Sequence, residues 1–575
     1  MTLNISWPSV ARDTVADREA SIPDSWRLSP EFIAKYPPGS DVFSAAAESN
    51  VMSQKELDIT DPSNDATSIL ASIKAKQVTA VEVLTAFCKR AAVAHQLLCC
   101  LTQIFFDESL ARAKELDEYY ERTGQLVGPL HGLPFSLKDH MGLKGKRSTG
   151  GFSGDLGKLI PTEDGPISQI LWNAGCGITI AVIYLQLELN FVFSVFYCKT
   201  NLPQSIMQLE TYSFWGQTLN PHNTNLTSGG SSGGCGALVS FGGSPLSLGT
   251  DIGGRRVLRN VRSPASCCGI YTLKPTTGRL PGNGPRGVST VPGNDAIVAT
   301  CGPTARSSRD ISLFFNVVLS AQPWLQSMNL VPLPWRSEPI TWSGSGGKIR
   351  LGVMWNDGSV LPQPPVRRAL KATVEALKRT NKFEIVDYEP VYHRELTLMA
   401  HSLYFTDGGA SVRARAAATG EPLCHLTEWV ITLPGVKDHT IHELWELCLE
   451  RDALRAKYYA YWNSQKIDVL LCPVQYGPAQ PLQTTKYWGY TSAFNCADFP
   501  AAVFPTGLKV DAALDPKDTQ TREPWCESDA HSMATYDPEV LQNAPLCLQL
   551  VSKRNADEIV MQALQEIEKV LPLRN

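Results

Sequence analysis

The chain has 575 residues, 43% of them hydrophobic and 19% charged, with a formal net charge of −4 at pH 7. That length builds one large α/β domain or two ordinary ones. The near-neutral balance, without any basic block, excludes nucleic acid as a partner, and the composition excludes pervasive disorder.

Residues 1–75 are polar and turn-rich and are expected to form an arm wrapped on the body, with residues 76–575 as the main domain. Thr79 and Glu82 have the spacing of a capping box, and Val81, Leu84, Cys88 and Ala91 follow at helical intervals. A second helix is expected from Asp107 to about Arg122, stopping before Gly124. Residues 134–138 (PFSLK), 349–354 (IRLGVM) and 468–472 (DVLLC) read as strands, and residues 366–378 as an amphipathic helix. Asn555 with Glu558 is expected to cap a last helix bearing Ile559, Ala563 and Ile567. Strands alternating with helices imply an α/β fold, with a mixed sheet covered on both faces.

Fifteen cysteines run from Cys88 to Cys547, with no CxxC pair and no Cys/His cluster of zinc spacing. The opening residues MTLNISWPSVARD carry no basic stretch followed by an apolar one, so no secretory signal is expected. Free buried thiols in a cytoplasmic protein follow. Residues 176–197 (CGITIAVIYLQLELNFVFSVFY) are almost continuously apolar. Gln186, Glu188 and Asn190 interrupt the run, and its Val, Ile, Phe and Tyr content suits strands better than a membrane span, so no membrane association is expected.

Residues 228–254 read SGGSSGGCGALVSFGGSPLSLGTDIGG, the most unusual composition in the chain. Glycine this dense is entropically costly unless the backbone must adopt special angles or approach something closely. Leu238, Val239, Phe241 and Leu248 are interleaved as core residues, which argues against a flexible linker. The Gly-Lys-Ser/Thr ending of a phosphate-binding loop is absent. Tight packing between elements and catalysis both remain open on composition alone.

This segment resembles the signature of the amidase signature family of serine hydrolases. So do GLPFSLKDHMGLKG at 132–145, KTNLPQS at 199–205 and LKPTTGRLP at 273–281. IPDSW near the start and DVLLCPVQYGPAQP near the end look most like the fungal acetamidase and general amidase branch. The resemblance implies the amidase signature fold and hydrolysis of a monocarboxylic acid amide to carboxylate and ammonia. It implies a Ser-Ser-Lys acyl-enzyme mechanism, no metal or organic cofactor, and a small-molecule amide as the partner, with a homodimer left open. Carried over residue by residue, Lys138 is the lysine and Ser231 the bridging serine, whose peptide bond is cis in the family. Ser232 is the alternative for the relay. The backbone of Ile252, Gly253 and Gly254 is expected to supply oxyanion donors, and Ile206 to line the acyl pocket. Asp251 is expected to organise its loop rather than react.

Two departures from the family pattern stand out. The family places its nucleophilic serine directly after GTDxGG, followed by Ile-Arg and then Pro-Ala. Here the order is GTDIGG, then RRVLRNV, then RSPAS. Counting forward from Gly254 puts Arg255 in the nucleophile position, and counting backward from Arg262 puts Asn260 there. Neither side chain forms an acyl-enzyme. The apolar stretch at about 176–195 is a second insertion, between motifs intact on both sides. We read the insertions at 176–195 and 255–261 as products of an incorrect gene model. The alternative is a true insertion in a catalytically impaired amidase-like protein.

Overall fold

The computed structural model describes residues 7–174, 195–251, 261–282, 294–517 and 522–571. All but the last three residues of the apolar run lie outside the described residues. So do Ile252, Gly253, Gly254 and residues 255–260 of the expected insertion at 255–261, whose last residue, Val261, is described. Among the described residues, no helix is long and apolar enough to cross a membrane.

Among the described residues, eleven strands form one mixed sheet. In chain order they are β1 (Leu101–Ile104), β2 (Phe135–Lys138), β3 (Phe196–Thr200) and β4 (Leu246–Asp251). Next come β5 (Tyr271–Lys274), β6 (Thr300–Ala305), β7 (Ile349–Val353) and β8 (Phe383–Asp387). The last three are β9 (Val469–Pro473), β10 (Ala501–Lys509) and β11 (Pro545–Val551). Their spatial order is β1-β3-β2-β4-β6-β5-β10-β11-β9-β7-β8. β2 runs parallel to both β3 and β4, and β7 parallel to both β8 and β9, while the pairs between these two blocks are antiparallel.

The principal helices are α1 (Trp7–Ala20), α2 (Ala80–Leu98), α3 (Phe106–Thr123), α4 (Pro166–Asn173), α5 (Gly233–Phe241) and α6 (Arg262–Cys268). They continue with α7 (Ser308–Ser320), α8 (Pro364–Lys378), α9 (His393–Tyr404), α10 (His425–Val430), α11 (Ile441–Gln465), α12 (Gly489–Cys496) and α13 (Asp557–Glu568). The strands alternate between two cores. Val469, Leu471, Ala502 and Leu550 face α7, α8 and α13, whereas Leu470, Cys472, Ala501 and Val551 face α9, α11 and α12. Burial on both faces is why DVLLC reads as an unbroken apolar run. The α/β class with helices on both faces therefore holds.

Local signals mark several boundaries. Thr79 and Glu82 form a reciprocal capping box at the start of α2, and Gly124 ends α3 with a φ of 67°. Asn555 does not cap the last helix. It has a φ of 64°, and α13 begins at Asp557 behind Ala556, without a side-chain cap. Tertiary contacts replace the cap. Thr276 donates from its N–H and its hydroxyl to the Asp557 carboxylate, at 2.8 and 2.9 Å, and Arg279 Nη2 donates to Glu558 Oε1 at 2.8 Å. The TTGRLP motif thus clamps α13 onto the end of β5. The expected turn-rich arm contains α1, and the fourteen described cysteines are all free thiols.

Candidate active site

β2 ends at Lys138, in a strand buried along its whole length. Its amine donates to Ser231 Oγ at 2.8 Å and to Ser232 Oγ at 3.0 Å. Lys138 and Ser232 are 0% exposed and Ser231 1%. The Gly230–Ser231 peptide bond is cis. Lys138 and Ser231, 93 positions apart in sequence, are therefore brought together as the motifs imply.

Lys138 does not pair with Asp139. The Asp139 carboxylate accepts from Thr149 N at 2.8 Å, Thr149 Oγ1 at 3.0 Å and Thr102 Oγ1 at 3.1 Å. Behind it, Lys199 Nζ donates to the carbonyls of Asp139 and Arg147, at 2.8 and 2.6 Å. Burial pushes this second lysine down to about 8. Lys199 thus braces the turn that leaves Lys138, a role its KTN motif did not disclose.

The serine loop is packed too closely for side chains. A Cβ on Gly230 would come within 2.4 Å of the Gln208 carbonyl oxygen and 2.6 Å of Glu210 N, and one on Gly234 within 2.4 Å of Asn201 N. At these two positions glycine is required by the approach of the neighbouring backbone. Glu210 is fully buried and accepts from Gln483 N at 2.6 Å and Thr485 N at 2.9 Å. Burial raises its carboxyl to about 7, against the opposing pull of those N–H donors. One residue therefore supports the serine loop with its backbone and the 483–485 loop with its side chain.

Ile206 is fully buried in the turn Gln204–Ile206, where Ser205 and Ile206 both have positive φ, 63° and 67°. A β-branched residue there is a backbone outlier of the kind concentrated at functional sites. Gln204 Nε2 donates to Glu421 Oε1 at 2.8 Å, and Gln208 Nε2 donates to Thr427 Oγ1, tying this turn to α10.

Asp251, at the end of β4, accepts from Arg262 Nε and Nη2, each at 2.9 Å, and from Val261 N at 3.2 Å. Arg262 Nη2 also donates to the Thr491 carbonyl at 3.2 Å and to Asn495 Oδ1. Asp251 is thus a structural anchor, as expected. Its partner Arg262, and the Asn495 that accepts from Arg262, were not recognisable as a unit from sequence, although RSPA was visible as a motif. The residues nominated as oxyanion donors and as nucleophile position lie outside the described residues.

Comparison with known proteins agrees with this architecture. The Amidase family profile matches residues 82–182 and 193–561. An acetamidase of Emericella nidulans is 33% identical, with 98% of each chain covered. Amidase FG08078 of Gibberella zeae is also 33% identical, over 99% of this chain and all of its own. The solved structure of a fatty acid amide hydrolase superposes with a TM-score of 0.88 at 31% identity, covering 99% of this chain and 97% of that one. The family match over most of the chain and the full-length relatives make this protein a hydrolase of the amidase signature type. The chain belongs to the amidase family.

Proposed function

We propose that the protein hydrolyses a monocarboxylic acid amide to the acid and ammonia when a serine follows Gly254, and that the chain as written has lost its nucleophile. The observation that carries the reading is the 2.8 Å contact between Lys138 Nζ and Ser231 Oγ in a buried site. An amide is a poor electrophile with a poor leaving group, so its hydrolysis needs an activated nucleophile, a proton route to nitrogen and an oxyanion hole. Lys138, as the neutral amine, takes the proton of Ser231, which takes that of the nucleophilic hydroxyl as its oxygen adds to the carbonyl. The tetrahedral adduct collapses as the proton returns along the same relay to the departing nitrogen. Ammonia leaves and water hydrolyses the acyl-enzyme by the same route in reverse. Ile206 lines the acyl side, and the Ile252–Gly253–Gly254 backbone receives the oxyanion.

Arg262 and Val261, the last residue of the insertion, are both bound to Asp251, so family-matching residues, Asp251 and Arg262, flank the insertion on its two sides. Replacing residues 255–260 by one serine restores GTDIGGSVRSPA between them. We expect that variant to release ammonia from acetamide or benzamide and to react with a fluorophosphonate probe, and the unaltered chain to do neither. Losing a serine nucleophile costs on the order of 10⁶ in turnover in a comparable hydrolase. Labelling of the unaltered chain as fast as the restored one would refute the proposal. The relatives named acetamidase make short aliphatic amides the first substrates to try.

A further inference from the structure

Glu421 is buried, and its carboxylate joins two segments that lie far from it in sequence. Oε2 accepts from Ser153 N at 2.7 Å and from Ser153 Oγ at 2.6 Å, and Oε1 accepts from Gln204 Nε2 at 2.8 Å. A buried carboxylate is costly unless donors surround it, and here three donors do so. Ser153 follows Thr149, which is bound to the Asp139 carboxylate next to Lys138. Gln204 opens the turn Gln204–Ile206. The two segments also touch through their backbones, since a Cβ on Gly151 would come within 2.4 Å of the Pro203 carbonyl oxygen.

The turn needs such a fastening. Ser205 and Ile206 both hold positive φ, and a β-branched residue persists there only where its surroundings over-determine it. One backbone bond closes the turn, from Ile206 N to the Pro203 carbonyl at 2.9 Å. The Gln204 side chain fastens it further, with both ends engaged. Its Oε1 accepts from Cys424 N at 2.7 Å, and its Nε2 donates to the Pro422 carbonyl at 3.0 Å as well as to Glu421. Cys424 N thus fixes the oxygen end of the amide, the nitrogen end faces Glu421, and only an acceptor there completes the pair. Ile206 itself packs with Leu202 and the partly buried Leu159.

We propose that Glu421 is a positioning residue that sets acyl-chain selectivity. It holds the Gln204–Ile206 turn against the 149–153 loop and so keeps Ile206 at a fixed distance from the reacting carbonyl. Loosening the turn widens the acyl side and favours amides of longer aliphatic acids over acetamide. The proposal rests on the amidase reading above and on Ile206 lining the acyl side.

The test measures kcat/KM of the serine-restored chain for acetamide and hexanamide. Glu421→Gln keeps the shape of the side chain but, with its oxygen on Ser153, turns an NH2 group toward the NH2 of Gln204. It is expected to raise the hexanamide-to-acetamide ratio about tenfold, with kcat on acetamide kept within about threefold. A variant that only loses stability lowers both amides in proportion and leaves the ratio where it was. Adding Gln204→Glu to Glu421→Gln again sets one donor against one acceptor, and is expected to return the ratio to within about threefold of the parent. If Glu421→Gln does not fold, Gln204→Met cuts the same bond from the other side and is expected to shift the ratio likewise. Hydrogen exchange on the chain as written needs no turnover. There Glu421→Gln is expected to speed exchange of the amides of residues 204–208 at least about tenfold and to leave β7 and β9 unchanged. A restored chain that releases no ammonia from either amide refutes the amidase reading, and the exchange then decides the positioning by itself. An unchanged ratio, a ratio the double variant leaves shifted, or unchanged exchange overturns the proposal.

Discussion

Arg262 meets Asp251 along two hydrogen bonds of 2.9 Å, Nε to Oδ2 and Nη2 to Oδ1, with both side chains 0% exposed. Removing one partner of a buried pair leaves the other charge uncompensated and costs about 3–5 kcal/mol. Asp251→Asn is therefore expected to lower stability by that amount in urea unfolding. Arg262→Lys is expected to rescue little, because an ammonium cannot reproduce the planar fork. A loss below about 1 kcal/mol for Asp251→Asn would show that the pair is not an anchor.

The relay is tested in the serine-restored variant. Lys138→Ala and Ser231→Ala are each expected to lower kcat by roughly 10⁴. Ser232→Ala is expected to cost far less, although Ser232 Oγ is within 3.0 Å of the same amine. Steady-state ammonia release decides. A Ser232→Ala loss larger than that of Ser231→Ala would move the relay to Ser232.

Glu210 predicts a pH dependence of stability. Burial raises its carboxyl from 4.5 to about 7. Below pH 4.5 the group is neutral folded and unfolded, and its contribution is fully present. Between 4.5 and 7 the unfolded chain has released the proton and the native state retains it, so stability falls as pH rises, by roughly 3 kcal/mol for this group. Glu210→Gln removes that slope. Urea unfolding of both proteins across this window should show the variant gaining on the parent as pH increases, and parallel profiles would contradict the assignment.

Thiol chemistry gives a further check. Of the fourteen described cysteines, only Cys99, Cys424, Cys448 and Cys526 are partly exposed. Burial pushes Cys424 up to about 12 and raises Cys99 as well, keeping both as thiols. In a timed reaction with an aromatic disulfide reagent, Cys448 and Cys526 are expected to be modified first. Rapid modification of a fully buried thiol such as Cys235 in the native protein would argue against the packing around the serine loop.

What sequence could say about this fold follows the range of the interactions. The Thr79–Glu82 box and the Gly124 stop are local, and both boundaries were legible to within a residue. Asn555 looked like a cap by the same local logic, yet the start of α13 is set by Thr276 and Arg279, hundreds of positions away. α11 carries no clear periodic signal, because its apolar residues do not keep to one face, Trp445 and Leu449 being 59% and 71% exposed. At the site, Lys138 and Ser231 came from motif resemblance, since no periodicity links residues so far apart. The Arg262–Asn495 and Gln208–Thr427 contacts and the bracing by Lys199 depend on which loops the sheet brings together, and no local pattern encodes that.

The strand order carries a consequence for biosynthesis. β5, finished at Lys274, takes β10 as its next neighbour, and β10 begins only at Ala501. The lysine–serine pair is encoded entirely before that point, but its half of the sheet keeps an open edge until the last strands emerge from the ribosome. Such distant pairing is slow and leaves apolar surface uncovered meanwhile. Nascent chains stalled between these two strands should therefore depend on chaperones and resist being expressed as a separate half.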